Sequence, residues 1–189
     1  MNLPKATPLG PFQEVLLIQN KRFGDDRGFF MESFNAKAFA SITGLTVNFV
    51  QDNHSRSARG VLRGIHFQRE PHAQGKLVRV VSGAVFDVAV DLRRSSPTFG
   101  RWAGCTLTAE SSDMLWIPPG FGHGFLTLRD QTDFLYKTTD YYAPECEGSV
   151  AWDDPTIAID WPTEVSRAEI LLSDKDRLAP RLQDAHVFA

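Results

Sequence analysis

Cysteine is scarce in this chain of 189 residues: Cys105 and Cys146 stand far apart and form no Cys-x-x-Cys pair. That spacing argues against a disulfide scaffold and against a cysteine-ligated zinc site. Long apolar runs are missing as well. Val15–Ile18 and Ala84–Leu92 are short or interrupted by charge, far below the roughly 20 residues that a spanning helix needs. Met1–Gly10 carries no apolar stretch of the kind a secretory leader uses, so a cytoplasmic protein without membrane contact is expected. There is no repeat, low-complexity tract or linker, which predicts one domain over residues 1–189. Neither charge sign dominates, since the net charge is −3 with 23% charged residues. Wholesale disorder is thereby excluded.

The mild net charge conceals an uneven distribution. Between Asn53 and Phe86 lie six basic residues (Arg56, Arg59, Arg63, Arg69, Lys76, Arg79) and one acid, Glu70, for a local charge of +5. The other 155 residues hold fourteen basic and twenty-two acidic side chains, a net −8. Such a chain repels a polyanion, so the basic stretch points to a small bound anion rather than to nucleic acid. A solvated arginine-rich strand face is the plainer alternative.

Short apolar or alternating segments recur between Gly, Pro, Asp and Ser. The segments read as strands are Glu14–Gln19, Gly28–Ser33, Thr46–Gln51, Gly60–Gln68, Leu77–Val81, Ala84–Leu92, Arg101–Ala109, Asp113–Ile117, His123–Leu128, Thr132–Thr139, Ser149–Trp152 and Ile157–Asp160. This spacing predicts an all-β sandwich, jelly roll or barrel. Ser82-Gly83 between two Val-rich runs reads as a hairpin turn. Helical signal is limited to Asn35 capping a helix through Ile42, and to a turn near Asp174–Leu178. Pro118-Pro119-Gly120-Phe121-Gly122-His123 has the form Pro-x-Gly-x-x-His and resembles the second signature of the cupin barrels, which directs its histidine inward.

Several chemistries lack their residues. Where metal-binding cupins place two histidines and a carboxylate, this sequence has His66 followed by Phe67 and Gln68, short of a full ligand set. Gly-x-Gly-x-x-Gly in a βαβ context and the Gly-x-Ser-x-Gly elbow are both absent. Acid–base chemistry over an anionic ligand remains. His66, flanked by Ile65 and Phe67, suits a partly desolvated general base, or a hydrogen-bonded structural histidine. Lys76 at a strand start reads either as an oxyanion-stabilising ammonium or as an edge-blunting lysine. Tyr136 reads as a proton donor or as a packed phenol. Asp87, inward by alternation with Ala89, reads as a support residue. Arg63 and His66 are three apart, so strict alternation sends them to opposite faces. Both line one site only if the strand is irregular at Gly64, where a bulge costs least.

The strings Gln51-Asp52-Asn53-His54-Ser55, Gly60-Val61-Leu62-Arg63-Gly64-Ile65-His66-Phe67-Gln68 and Gln74-Gly75-Lys76-Leu77-Val78-Arg79 resemble the dTDP-4-dehydrorhamnose 3,5-epimerases. So do Ser96-Pro97-Thr98-Phe99-Gly100, Trp116-Ile117-Pro118-Pro119-Gly120, Tyr136-Lys137-Thr138-Thr139-Asp140-Tyr141-Tyr142 and Leu172-Ser173-Asp174-Lys175-Asp176. The likeness runs in order from Phe23 to Asp176. It implies a cupin-like jelly-roll barrel, a homodimer, and cofactor-free, metal-free epimerisation of a dTDP-4-keto-6-deoxy sugar in dTDP-L-rhamnose biosynthesis. By the same resemblance the catalytic set is His66 as base, Asp176 orienting it, Tyr136 as donor and Lys76 at the enolate oxygen. Substrate contacts fall on Arg27, Glu32, Gln51, Asp52, Asn53, Arg63, His123, Tyr142, Glu147 and Lys175. Gly122, where the family more often carries alanine, is expected to loosen its turn. Relatives that epimerise one carbon share these residues, so a mono-epimerase of an antibiotic sugar stays open. So do a non-catalytic sugar-nucleotide-binding protein and a metal-dependent cupin oxygenase.

Overall fold

The computed structural model describes Leu3–Ala189. Met1 and Asn2, part of the proposed domain and of the segment read as lacking a leader, lie outside the described residues. Runs rich in Val, Ile, Phe and Thr, cut by Gly, Pro and Asp, favour strands over helices. The result is an all-β fold with two antiparallel sheets.

The first sheet has the order β1 (Lys5–Pro8), β2 (Leu16–Gln19), β10 (Met114–Ile117), β7 (Lys76–Ser82), β12 (Thr132–Thr138), β5 (Gln51–Ser57). The second runs β13 (Glu147–Ser149), β6 (Leu62–Gln68), β11 (Phe121–Thr127), β8 (Ala84–Asp91), β9 (Trp102–Thr108). From β6 to β13 the chain repeatedly changes sheet, as a jelly roll does. No ladder joins the two sheets among the described residues, so they form an open sandwich rather than a closed barrel. A separate ribbon pairs β3 (Phe23–Asp25) with β4 (Gly28–Phe30).

The core between the sheets takes Val78, Val80, Leu115, Ile117 and Phe134 from one and Val85, Ala89, Leu107, Phe121 and Phe125 from the other. Both outer faces are covered too. Helix α1 (Ala36–Thr43) and Phe34 and Phe49 cover Leu77, Met114 and Trp116. Ile157, Leu182 and Phe188 cover Ile65, Val88 and Val90. Strands β10 and β11 are therefore buried at every position, as expected for strands covered on both faces. Asn35 caps α1, its side chain accepting from Lys37 N and Ala38 N, as its residue type requires. No helix among the described residues is long and apolar enough to cross a membrane.

Three local expectations change. Ser82-Gly83 does not close a hairpin: β7 and β8 belong to different sheets, and Gly83, at φ +77°, carries the chain across against Thr132. Thr46–Phe49 and Ile157–Asp160 pair with no strand, their apolar residues serving to cover the outer faces. Gly122 sits inside β11 rather than in the turn before it, and the space a Cβ would need is filled by Ile65 and Leu92.

Candidate active site

Register fixes which side chains face the interior. On the five-stranded sheet His66 lies opposite His123 and Arg63 opposite Phe125. His123 and Phe125 are two apart on β11 and share a face. Two residues on β6, Gly64 and Ile65, therefore oppose one on β11, Gly124, a bulge with Gly64 at φ +122°. The irregularity expected at Gly64 is present, and it turns Arg63 and His66 to the same side. Glycine is required there, because a Cβ would stand 2.5 Å from Gly124 Cα and 2.7 Å from His123 O. Leu62 points to the other face, packing with Leu126 and Val165.

On the six-stranded sheet Tyr136 lies opposite Val78 and Asn53, while Lys76 lies opposite Thr138. Val78 belongs to the inner core, so Tyr136, Asn53 and Lys76 also face inward. The two sheets thus present His66, Arg63 and His123 on one wall and Tyr136 and Lys76 on the other. Lys76 Nζ reaches the carbonyl of His66 at 3.5 Å.

Asp176 arrives from α2 (Asp174–Arg177), 110 residues beyond His66. His66 Nε2 donates to Asp176 Oδ1 at 2.5 Å, leaving the other ring nitrogen free to accept a proton. Gly64 N–H also donates to Oδ1 at 3.3 Å, and Ser173 Oγ donates to Oδ2 at 2.6 Å. Burial raises the Asp176 carboxyl, but these hydrogen bonds and the nearby imidazole outweigh it and hold it below its usual range. A fixed carboxylate sets the imidazole tautomer and supports its positive form. Ser173 had no assigned role from sequence; it caps α2 by accepting from Asp176 N–H. Its signal was a serine three residues before an acid at a helix start.

A second His–Asp pair lies deeper. His123 Nε2 is 3.0 Å from both oxygens of Asp87, which is fully buried. Burial raises Asp87 and lowers His123. Burial also pulls Lys76 down to about 8, against Asp87 and Glu147, which favour its charge. The Tyr136 phenol is raised, chiefly by burial, and so stays protonated at neutral pH. An ammonium and a protonated phenol on one wall and a carboxylate-backed imidazole on the other are the groups needed to remove a proton, steady an enolate and return a proton.

A cavity of about 450 Å³ opens beside Arg63, His66, Lys175 and Asp176. Arg63 donates to Ser57 Oγ at 3.3 and 3.2 Å and has no carboxylate partner among the described residues. A guanidinium so placed suits a phosphate. Lys175 pairs with Glu147, whose other oxygen accepts from Tyr142 Oη at 3.3 Å. Gln51 accepts from Tyr142 N–H at 3.1 Å and donates to Asn53 Oδ1 at 2.9 Å. Among the described residues no three His, Cys, Asp or Glu side chains gather to hold a metal.

Three residues singled out in the sequence stand apart from this cluster. Asp52 faces outward and pairs with Lys137 at 2.8 Å, since alternation separates it from Gln51 and Asn53. Arg27 sits on the exposed β3–β4 ribbon and pairs with Asp25. Glu32 accepts from Asn35 Nδ2 at 3.0 Å, beside α1. The basic stretch is likewise divided: Arg56 pairs with Asp133 and Arg59 with Glu169, while Lys76 turns to the interior and Arg63, itself exposed, lies at the cavity beside His66.

Known proteins match the chain along nearly its whole length. A sequence model of the dTDP-4-dehydrorhamnose 3,5-epimerase family matches residues 10–184. The dTDP-4-dehydrorhamnose 3,5-epimerase of Pseudomonas aeruginosa is 56% identical over 184 residues, 97% of this chain and 99% of that one. The crystal structure of a dTDP-6-deoxy-D-glucose-3,5-epimerase from Legionella pneumophila, in complex with dTDP-4-keto-L-rhamnose, is 49% identical with a TM-score of 0.89. That match covers 95% of this chain and 93% of the other. ChmJ, a 3'-monoepimerase from Streptomyces bikiniensis, is 36% identical with a TM-score of 0.86, covering 94% and 88%. Sequence, fold and extent of match agree that the chain is an isomerase of the dTDP-4-dehydrorhamnose 3,5-epimerase family.

Proposed function

We propose that this protein epimerises carbons 3 and 5 of dTDP-4-dehydro-6-deoxy-glucose, giving dTDP-4-dehydro-L-rhamnose, by metal-independent enolate chemistry. The observation that carries the reading is the pair of opposed walls: His66 backed by Asp176 on one, Tyr136 and Lys76 on the other. The 4-keto group acidifies both neighbouring carbons. His66 removes the proton, the Lys76 ammonium stabilises the enolate oxygen, and Tyr136 delivers a proton from the opposite face. Arg63, His123, Lys175, Glu147, Gln51, Asn53 and Tyr142 line the path for the diphosphate and base. Two unpaired cysteines fit the reducing cytoplasm.

Identity to a protein named as a 3,5-epimerase reaches 56%, against 36% to the 3'-monoepimerase, and this favours double epimerisation. Turnover in deuterated water tests it, with label expected at both carbons. Label at one carbon alone would make the protein a mono-epimerase. His66→Ala should abolish exchange at both positions; unaltered exchange would remove His66 as the base. Tyr136→Phe should slow net epimerisation more than solvent exchange.

The homodimer belongs to the same proposal. The ribbon bearing Arg27 exposes Phe23, Phe29 and Phe30 at 53, 57 and 72%. A two-stranded ribbon is marginally stable alone, and an apolar patch of this kind favours cover by a second copy.

A further inference from the structure

Thr139–Ala143 is joined to the cavity residue Lys175 through Tyr142 and Glu147; it has no regular secondary structure and carries the exposed Tyr141 and Tyr142. Such a segment holds one shape only if something other than a ladder satisfies its backbone. Two side-chain amides do so, one from each sheet. Gln68, 4% exposed and two residues beyond His66, donates from Nε2 to Tyr141 O at 3.1 Å and accepts at Oε1 from Ala143 N–H at 2.9 Å. Its second N–H goes to His72 O at 2.7 Å. Gln51 accepts from the N–H of Tyr142 itself at 3.1 Å. The peptide groups on both sides of Tyr142 are therefore held, and its hydroxyl is tied to Glu147, while the residue remains 57% exposed. An aromatic ring fixed by its backbone and its tip, with a free face, is a preorganised platform for a planar ligand group.

We propose that Gln68 is a positioning residue for the nucleoside end of the substrate: it fixes Tyr142 and acts on binding rather than on proton transfer. This rests on the reading above that Tyr142 contacts the dTDP moiety. The role is local, because Gln74 Nε2 donates to Asp140 O at 2.8 Å and Gly75 N–H donates to Thr139 Oγ1 at 2.8 Å. These hold the start of the segment without Gln68.

Gln68→Met keeps length and removes all three hydrogen bonds. The expected result is a rise of roughly tenfold in both the Kd for dTDP, by calorimetry, and KM, with kcat within about twofold. In a Tyr142→Ala background, Gln68→Met should add no further loss of dTDP affinity, since coupled residues are not additive. Loss of kcat at unchanged dTDP affinity, or losses that multiply, would overturn the proposal. Should Tyr142→Ala by itself leave dTDP binding intact, the Tyr142 contact fails and the proposal falls with it. If Tyr142→Ala weakens binding and Gln68→Met does not, only the Gln68 role is lost. Gln68→Glu supplies a second variant if the first does not fold. It keeps the acceptor for Ala143, opposes an ionised oxygen to the Tyr141 carbonyl, and should regain dTDP affinity relative to wild type as acid restores its donor. No such recovery would count against the proposal.

Discussion

His66 and Asp176 behave as one unit, because a 2.5 Å bond joins them and Ser173 and Gly64 occupy the remaining carboxylate positions. Asp176→Asn keeps the shape and removes the charge that supports an imidazolium. We expect its exchange rate to drop by roughly 10²–10⁴-fold, the usual share of general acid–base catalysis, with dTDP affinity nearly unchanged. A KM-against-kcat comparison checks this. Lys76 gives a pH prediction. Its ammonium is present below about 8 and lost above it, so kcat/KM should fall on an alkaline limb centred near that pH. Lys76→Arg keeps the charge to far higher pH and should remove that limb, whatever it does to the maximal rate. His66, Lys76 and Tyr136 were legible as residue types on strands. Asp176 was reached only through the resemblance, since nothing local in sequence ties two residues 110 apart.

At the scale of the element, one bulge in β6 decides whether the site exists. A regular ladder sends Arg63 and His66 to opposite faces; the extra residue at Gly64 brings them together. Gly64→Ala would place a methyl against the Gly124 and His123 backbones in a conformation that favours glycine. It should cost about 1–3 kcal/mol, read as a lower denaturation midpoint, and reduce activity further by misplacing both side chains. Asn35→Ala, which removes the cap of α1, should cost about 1 kcal/mol and leave kcat unchanged, since α1 lies on the outer face. Asn35 and Gly64 were readable locally because capping and bulging depend on residue type. Ser82-Gly83 misled for the opposite reason: the same residues serve a hairpin or a crossover, and the choice depends on which sheet receives the next strand.

For the whole molecule, the exposed ribbon and the two-sheet core make separate demands. The core is closed on both outer faces by the chain itself, whereas Phe23, Phe29 and Phe30 are not. Sedimentation should give twice the 21.1 kDa chain mass. A Phe29→Ser, Phe30→Ser variant should shift toward monomer; a wholly monomeric wild type would remove the homodimer from the proposal.

The opening absences already bounded the molecule. Few cysteines, no spanning run and no dominant charge left a strand-rich globule in which a histidine, a lysine and a tyrosine stood on apolar strands. Side-chain periodicity, turn chemistry and capping depend on near neighbours, so sequence by itself determined the all-β class, most strand positions, the α1 cap and the irregularity at Gly64. Which face each strand presents, which carboxylate meets which histidine and which arginines of the basic stretch go unpaired depend on contacts between distant segments. Only the tertiary structure decided these. It separated Arg56 and Arg59, neutralised by Asp133 and Glu169, from Arg63 and Lys76, which it placed beside the paired His66 and Asp176.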